Sequence, residues 1–294
     1  MEYQVLLFYK YVTITDPENL KSWLIDRANH YHLLGRVIIA SEGINGTLEG
    51  TIEETNLFSE ELLQIAELRT MQIKSSGSSG TAFPRLKVRV RDEIVGTKFG
   101  PEIDPRVETA EYISAEELHT WYRDNKDFVV VDMRNDSEYT SGHFRQSINP
   151  GLEASRDLTQ TIASLSPLKD KTVVTVCTGG VRCEKMSAYL MNQGFKDVKQ
   201  LDNGMHGYME KYPGEDFLGT LYTFDNRLTM HFGGTREIIG TCRLCKSQTE
   251  RYVNCANLMC HLHFLACQQC SESHGTFCSD TCRVIMLPTI LPFV

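Results

Sequence analysis

The apolar positions of this chain change period several times, and each change marks a candidate element. Tyr3–Tyr11 is an extended, largely apolar run that predicts a strand. Thr15-Asp16-Pro17-Glu18 is a helix-start signal, and Leu20, Trp23, Leu24 and Ala28 continue it at helical spacing. Gly35-Arg36-Val37-Ile38-Ile39-Ala40 predicts a buried strand. Gly43, Asn45 and Gly46 predict a turn before Thr47-Leu48-Glu49. A second helix is expected over 52–68 and a last strand over 83–95. This βαββαβ order predicts a ferredoxin-like α+β domain over residues 1–95, with two helices on one face of the sheet. Ser75-Ser76-Gly77-Ser78-Ser79-Gly80 reads as a flexible surface loop inside it. The boundary falls in 96–107, which carries Gly100, Pro101 and Pro105.

Residues 109–222 alternate differently. Ser114-Ala115-Glu116-Glu117 is a capping box. Strands are expected over 128–132, 172–176 and 198–201, with helices over 152–165 and 184–193 and Gly194 as a C-cap. Strands separated by helices predict a parallel α/β sheet, so the class of the whole chain is α/β. Sites in such sheets lie at the carboxyl ends of the strands, where Cys177 and Asp132 both fall. Residues 235–294 form a cysteine-rich tail, and no internal repeat or heptad pattern stands out.

Composition narrows the function classes. The 294 residues are 41% hydrophobic and 23% charged, which fits a soluble globular protein of two or three domains. No apolar run reaches the length of a membrane span, and the start lacks the basic region of a signal peptide, so a cytoplasmic protein with no membrane partner is expected. A net charge of −8 argues against a generally basic nucleic-acid binder while leaving room for a local patch. Two of the 10 cysteines are Cys177 and Cys183; the other eight lie between Cys242 and Cys282, a clustering that suggests metal before disulfides.

The segment Cys177-Thr178-Gly179-Gly180-Val181-Arg182-Cys183-Glu184-Lys185 follows the strand Thr172-Val173-Val174-Thr175-Val176 and precedes a helix. That placement aims backbone N–H groups and a helix dipole at one sulfur, with Arg182 adding charge, and so favours a nucleophilic thiolate at Cys177. A buried inert cysteine would need neither Gly179 and Gly180 nor an arginine beside it. Phosphatase loops also combine cysteine and arginine but are one residue longer than Thr178-Gly179-Gly180-Val181, so the register prefers sulfur chemistry. Cys183 is either a resolving thiol or a small space-filling residue. Asp132 and Arg134 are candidates to hold the nucleophile loop by charge-assisted hydrogen bonds, and His143 reads as a packed histidine.

The stretch Val131-Asp132-Met133-Arg134-Asn135-Asp136-Ser137-Glu138-Tyr139-Thr140-Ser141-Gly142-His143-Phe144, taken with the Cys177 loop, resembles a rhodanese domain. The full Cys177 to Lys185 string is similar to that of the rhodanese-related tRNA uridine hydroxylase family. That family also has phrases like Ser41-Glu42-Gly43-Ile44-Asn45-Gly46 and Tyr252-Val253-Asn254-Cys255-Ala256-Asn257. The resemblance covers nearly the whole chain. It implies oxygen-dependent conversion of the wobble uridine in the tRNA anticodon to 5-hydroxyuridine, with Cys177 as the catalytic cysteine. One departure is Asn203, where family members often have glycine. No flavin or nicotinamide fingerprint and no clear non-haem iron set accompanies the site. A persulfide sulfurtransferase, and a non-enzymatic RNA- or protein-binding module, are the alternative functions.

Arg85, Lys87, Arg89 and Arg91 alternate with Leu86, Val88 and Val90, so period two puts the cations on one strand face. Such a stripe either tracks a phosphate backbone or is a solvated face paired with acids such as Glu93 or Glu2; the resemblance favours tRNA. Tyr9, Lys10 and Tyr11 are candidates for stacking or for core and rim, and Glu42 and Asn45 for structure before substrate contact. In the tail, Cys242 with Cys245, Cys255 with Cys260, Cys267 with Cys270 and Cys278 with Cys282 have knuckle spacings. They suit two four-sulfur structural zinc sites, sequential or interleaved, ahead of iron–sulfur. His261, His263 and His274 are not needed as ligands. The oligomeric state stays open.

Overall fold

The computed structural model describes residues 2–234 and 237–286. The first sheet contains β1 (Tyr3–Tyr11), β2 (Leu34–Ala40), β3 (Gly43–Thr51), β4 (Ile73–Ser78) and β5 (Leu86–Val90), with helices α1 (Pro17–His30) and α2 (Ile52–Leu62). Its order is β4-β1-β3-β2-β5, and the first four strands are mutually antiparallel neighbours, the ferredoxin-like arrangement. Leu6, Phe8, Val37, Ile39, Ile44 and Leu48 turn one face of the sheet toward Leu20, Leu24, Phe58 and Leu62 of the helices. The opposite face carries Leu7, Tyr9 and Tyr11 of β1.

Four expectations for this domain need correction. The serine–glycine stretch expected to be a flexible loop supplies β4, which pairs with β1 from Tyr3–Ser78 to Phe8–Ile73. An edge strand draws its order from backbone hydrogen bonds on one side, so side chains without apolar bulk suffice. The expected last strand shortens to β5, a fifth strand parallel to β2. Gly43, Asn45 and Gly46 lie inside β3 rather than in a turn; the ring of Phe8 crosses Gly46, where a Cβ would come within 2.4 Å of it. The second helix also stops at Leu62, leaving a separate short turn of helix at Ala66–Leu68.

The second sheet is parallel, in the order β6-β10-β9-β7. Its chain runs through β6 (Glu111–Ile113), α3 (Ala115–Arg123), β7 (Val129–Asp132), α4 (Asp136–Tyr139), β8 (Gly142–Phe144), α5 (Leu158–Leu165), β9 (Thr172–Val176), α6 (Val181–Asn192), β10 (Asp197–Leu201) and α7 (Gly204–Lys211). Val131 and Val173 bury one face with Leu158, Met186 and Leu190, and Val130, Val174 and Val176 bury the other with Leu118, Met205 and Tyr208. α6 begins three residues earlier than expected, because Gly180 adopts φ 105° and turns the chain directly into the helix. Arg182 and Cys183 therefore sit in its first turn.

The tail contains a short hairpin, Tyr252–Asn254 with His263–Leu265, and helices Gln268–His274 and Asp280–Met286. Residues 235–236 and 287–294 of the expected tail lie outside the described residues. Among the described residues no helix is long and apolar enough to cross a membrane.

Candidate active site and metal centres

β9 delivers Cys177 to the carboxyl edge of the parallel sheet, where the residue is fully buried. The Gly180 amide donates to its Sγ at 3.2 Å. Burial by itself would push this thiol up. The Cys183 thiol, the Arg182 charge and the amides of Cys183 and Arg182 outweigh it and bring Cys177 down to about 5. Cys183 moves the other way, raised by burial and by the neighbouring Cys177. One sulfur of the pair is thus held ionised and the other protonated.

The start of α7 braces the loop. The Met205 amide donates to the Cys177 carbonyl at 2.9 Å and the His206 amide to that of Thr178 at 3.0 Å. Asn203 precedes this helix with φ 61°, a left-handed conformation that asparagine tolerates and glycine adopts freely. Asparagine at this position therefore leaves the Cys177 loop undisturbed. Gly204 cannot be exchanged so readily: its φ is 62° and a Cβ would sit 2.7 Å from the Cys177 carbonyl oxygen.

Arg182 is buried and forms a bidentate pair with Glu138 at 2.6 and 2.9 Å, while Nη2 donates to Thr178 Oγ1 at 3.2 Å. Asp132 and Arg134 do not hold the nucleophile loop. They pair with each other, fully buried, and Arg134 donates onward to the Gly142 carbonyl at 2.6 Å. The short Asp-x-Arg spacing lets the two side chains pair with each other, so neither reaches the loop; Met133 N–H to the Val176 carbonyl, 2.8 Å, ties this strand end to β9. Asp132→Ala, which leaves Arg134 buried without its carboxylate, is expected to lower stability by about 3–5 kcal/mol in denaturant unfolding. Unaltered stability would refute this structural assignment. His143 is packed as expected, stacked on Tyr139 at 3.9 Å and hydrogen-bonded to its carbonyl.

The open face of the first sheet covers the Cys177 loop, a contact that no local period of the sequence encodes. A Cβ on Gly179 would come within 2.9 Å of Leu7, and one on Gly180 within 2.6 Å of the Tyr9 hydroxyl. Tyr9 donates to Glu184 at 3.2 Å, Tyr11 to the Val181 carbonyl at 3.2 Å, and Lys74 to the Gly179 carbonyl at 3.0 Å. Lys185, also buried, pairs with Glu42 at 2.8 Å and Glu93 at 3.0 Å. Glu42 and Asn45 thus have structural roles: Glu42 also accepts from the Ile94 amide, and Asn45 donates to the Ile94 carbonyl. The alternation of Tyr9 and Tyr11 with Phe8 was the available signal, since it puts both rings opposite the core. Lys74 gave none, lying beside a stretch that composition marks as loop.

Lys87 and Arg89 lie in register with Arg36 and Ile38 of β2, so they share the sheet face opposite the helices. Arg36, Arg85, Arg89 and Arg91 are exposed. None of these cations or Lys87 has an ion pair among the described residues, and Arg89, with the other three arginines behind it, depresses the Lys87 ammonium. Glu93 is engaged with Lys185 and is not the partner of the stripe.

In the tail the cysteines interleave. Cys242, Cys245, Cys267 and Cys270 form one group, and Cys255, Cys260, Cys278 and Cys282 the other, with sulfurs within 4.8 Å of one another in each. The separations Cys245–Cys267, Cys260–Cys278 and Cys278–Cys282 are each 3.6 Å. Sulfurs around a tetrahedral zinc lie roughly 3.8 Å apart, given Zn–S bonds of about 2.3 Å, so each group fits one ion.

The chain is 39% identical over 286 residues to a tRNA uridine(34) hydroxylase of Staphylococcus aureus (strain MSSA476), covering 96% of this chain and 90% of that protein. It belongs to the tRNA uridine(34) hydroxylase family. A protein of the same name from Bacillus pumilus (strain SAFR-032) is 38% identical over 96% of this chain and 88% of its own length. Family models match in three successive segments: the UPF0176 acylphosphatase like domain over residues 3–94, the Rhodanese-like domain over 114–211 and the Rhodanase C-terminal domain over 218–283. A solved rhodanese-like domain protein from Staphylococcus aureus is 26% identical over 33% of this chain and 90% of that one, with a TM-score of 0.29.

Residues of the first domain and of the tail reach the rhodanese-like domain. Ser41 to Gly46 brings Glu42 to Lys185. Tyr252 to Asn257 brings the Tyr252 hydroxyl to the Ser137 carbonyl of α4, beside Glu138, and Asn257 to the Cys282 sulfur at 3.5 Å.

Proposed function

We propose that this protein hydroxylates the wobble uridine of tRNA to 5-hydroxyuridine with molecular oxygen as co-substrate and a two-electron donor that reduces the second oxygen atom to water, using Cys177 as the catalytic thiolate. The observation that carries this reading is the 39% identity over 96% of the chain to a protein named tRNA uridine(34) hydroxylase. The site chemistry supports it. A soft thiolate adds to the electron-poor C6 of a uracil ring and moves electron density onto C5, the carbon that receives one oxygen atom; loss of the C5 proton then restores the C5–C6 double bond and expels the Cys177 thiolate. The Cys183 thiol, Arg182 fixed by Glu138, and the amides of Cys183 and Arg182 keep the sulfur ionised, and Gly179 and Gly180 let the first domain close over it. On this reading Cys183 stays protonated beside the nucleophile, and Asp132 with Arg134 supports the strand end rather than touching substrate.

Residues 1–95 serve as the tRNA-binding domain, 109–222 as the catalytic domain and 235–294 as a tail folded around two structural zinc ions. Arg85, Lys87, Arg89 and Arg91 follow the phosphates of the anticodon arm. Replacing Lys87 and Arg89 together by glutamine is expected to weaken tRNA binding and to flatten the slope of log affinity against log salt by roughly 1–2. Filter binding across a salt series checks this; an unaltered slope removes the stripe from the interface. The overall reading is tested by mass spectrometry of tRNA nucleosides from a deletion strain complemented with wild-type protein or Cys177→Ala. Wild-type protein restores 5-hydroxyuridine and the variant does not.

A second reading is a persulfide sulfurtransferase. The Gly180 amide directed at the Cys177 sulfur favours it, because the same donor would hold a terminal sulfur. A trapped Cys177 persulfide with unaltered tRNA would select this reading.

A further inference from the structure

Phe224 keeps 48% of its surface exposed, although its neighbours Thr223 and Asp225 are buried. The turn that carries it is firmly built. Thr223 N–H donates to the Leu228 carbonyl at 2.9 Å, and Asp225 receives Arg227 through Nε at 2.9 Å and Nη2 at 2.7 Å. Arg227 also bonds Ser76 Oγ at 2.9 Å and the Gly77 carbonyl at 3.1 Å, and the Asn226 amide donates to the Ala82 carbonyl at 2.9 Å. The turn is therefore fastened to the first domain, close to its edge strand β4. Tyr222 and Arg182 pack against part of the ring, and about half of it stays open to solvent.

The position of the ring suggests its use. Arg182 Cζ lies 5.5 Å from its centroid, and the same guanidinium bonds Thr178, the residue after Cys177. Tyr222 meets Phe224 at 5.3 Å and 88°, and Tyr222 is backed by Tyr252 at 5.0 Å. The Arg36 charge is close enough to act on the Tyr222 hydroxyl, which links this aromatic step to the cationic face of the first sheet. Cations for phosphates, then an open ring, then a nucleophile loop form a continuous order of chemistry suited to an unstacked nucleotide.

We infer that Phe224 is the stacking platform for a pyrimidine of single-stranded RNA presented to Cys177. The inference rests on the tRNA hydroxylase reading for the identity of the substrate. Stacking is tolerant of base identity and depends on a flat ring, so the size of the aromatic face decides the effect.

The test uses the full chain with its metal. Phe224→Ala is expected to lose roughly 10- to 100-fold in kcat/KM on tRNA, chiefly through KM, and Phe224→Trp to recover most of it. Iodoacetamide alkylation of Cys177 reports whether the loop is intact and should not change in Phe224→Ala. Separately, indole fluorescence of Phe224→Trp should be quenched by an anticodon stem-loop and not by a blunt duplex of equal charge, beyond any change seen in wild type. Wild-type kcat/KM in Phe224→Ala with normal alkylation would overturn the inference, as would equal quenching by stem-loop and duplex or none by either. If Phe224→Ala disturbs alkylation, the Phe224→Trp quenching decides. If wild-type protein makes no hydroxyuridine, the functional reading fails while the quenching measurement still judges the RNA platform.

Discussion

Cys177→Ser is expected to lower single-turnover formation of 5-hydroxyuridine by roughly four orders of magnitude or more while leaving the chain folded. Serine is close in size, and its hydroxyl can still accept from the Gly180 amide that now donates to the sulfur at 3.2 Å. What is lost is the ionised form. A serine hydroxyl keeps its proton at neutral pH in the same surroundings that bring the cysteine thiol down to about 5. The sign of the pH dependence follows. The depressed value makes thiolate the dominant form above about pH 5, so the rate at which Cys177 is alkylated should already have reached its plateau at pH 6 and decline only as the solution is acidified through about pH 5. An ordinary thiol would instead gain reactivity steadily from pH 7 to 9. Alkylation that rises only in the alkaline range would remove the basis for a nucleophilic Cys177. Mass spectrometry following both the Cys177 adduct and the product nucleoside makes the two measurements on one sample.

Removing metal is expected to unfold the tail and to abolish hydroxylation with it. Structural zinc in small cysteine domains contributes about 10–16 kcal/mol of folding free energy at neutral pH, more than the tail's small core supplies. That core consists largely of the cysteines themselves, with Val253, Phe264 and Ala266. Metal analysis should give two ions per chain. Because the groups interleave, Cys242→Ser and Cys267→Ser should release the same ion, and Cys255→Ser and Cys278→Ser the other. Release of different ions by Cys242→Ser and Cys267→Ser would contradict this arrangement. The loss extends to the active site through Tyr252, which bonds the Ser137 carbonyl next to Glu138, the carboxylate that positions Arg182. Hydrogen exchange should therefore increase in α4 as well as in the tail after chelation. A tail that remains protected without metal would show that the sulfurs need no ion to hold their places.

The parts of the protein legible in its sequence are those set by near neighbours. Val173, Val174 and Val176 announce a buried strand because their period and β-branching are local properties, and Cys177 must follow at its carboxyl end. Cations alternating with Leu86, Val88 and Val90 must face away from them, whatever the rest of the chain does. Eight cysteines in knuckle pairs call for metal because two thiolates a few residues apart can meet one ion. The parts that misled were those in which distant residues compete for a side chain. Asp132 and Arg134 look available to the nucleophile loop, but each finds the other first. Ser75 to Ser78 look like loop until β1 supplies the backbone partners that make them a strand.

The sequence by itself determined the Cys177 loop, the cationic strand and the eight sulfurs, since each depends on spacing along a few residues. Only the tertiary structure decided that Leu7, Tyr9, Tyr11 and Lys74 close over that loop, that Glu138 holds Arg182, and which cysteines come together in each group of four. Those pairings join residues up to 175 positions apart, as in Tyr9 and Glu184, and no local period encodes which surfaces bury each other.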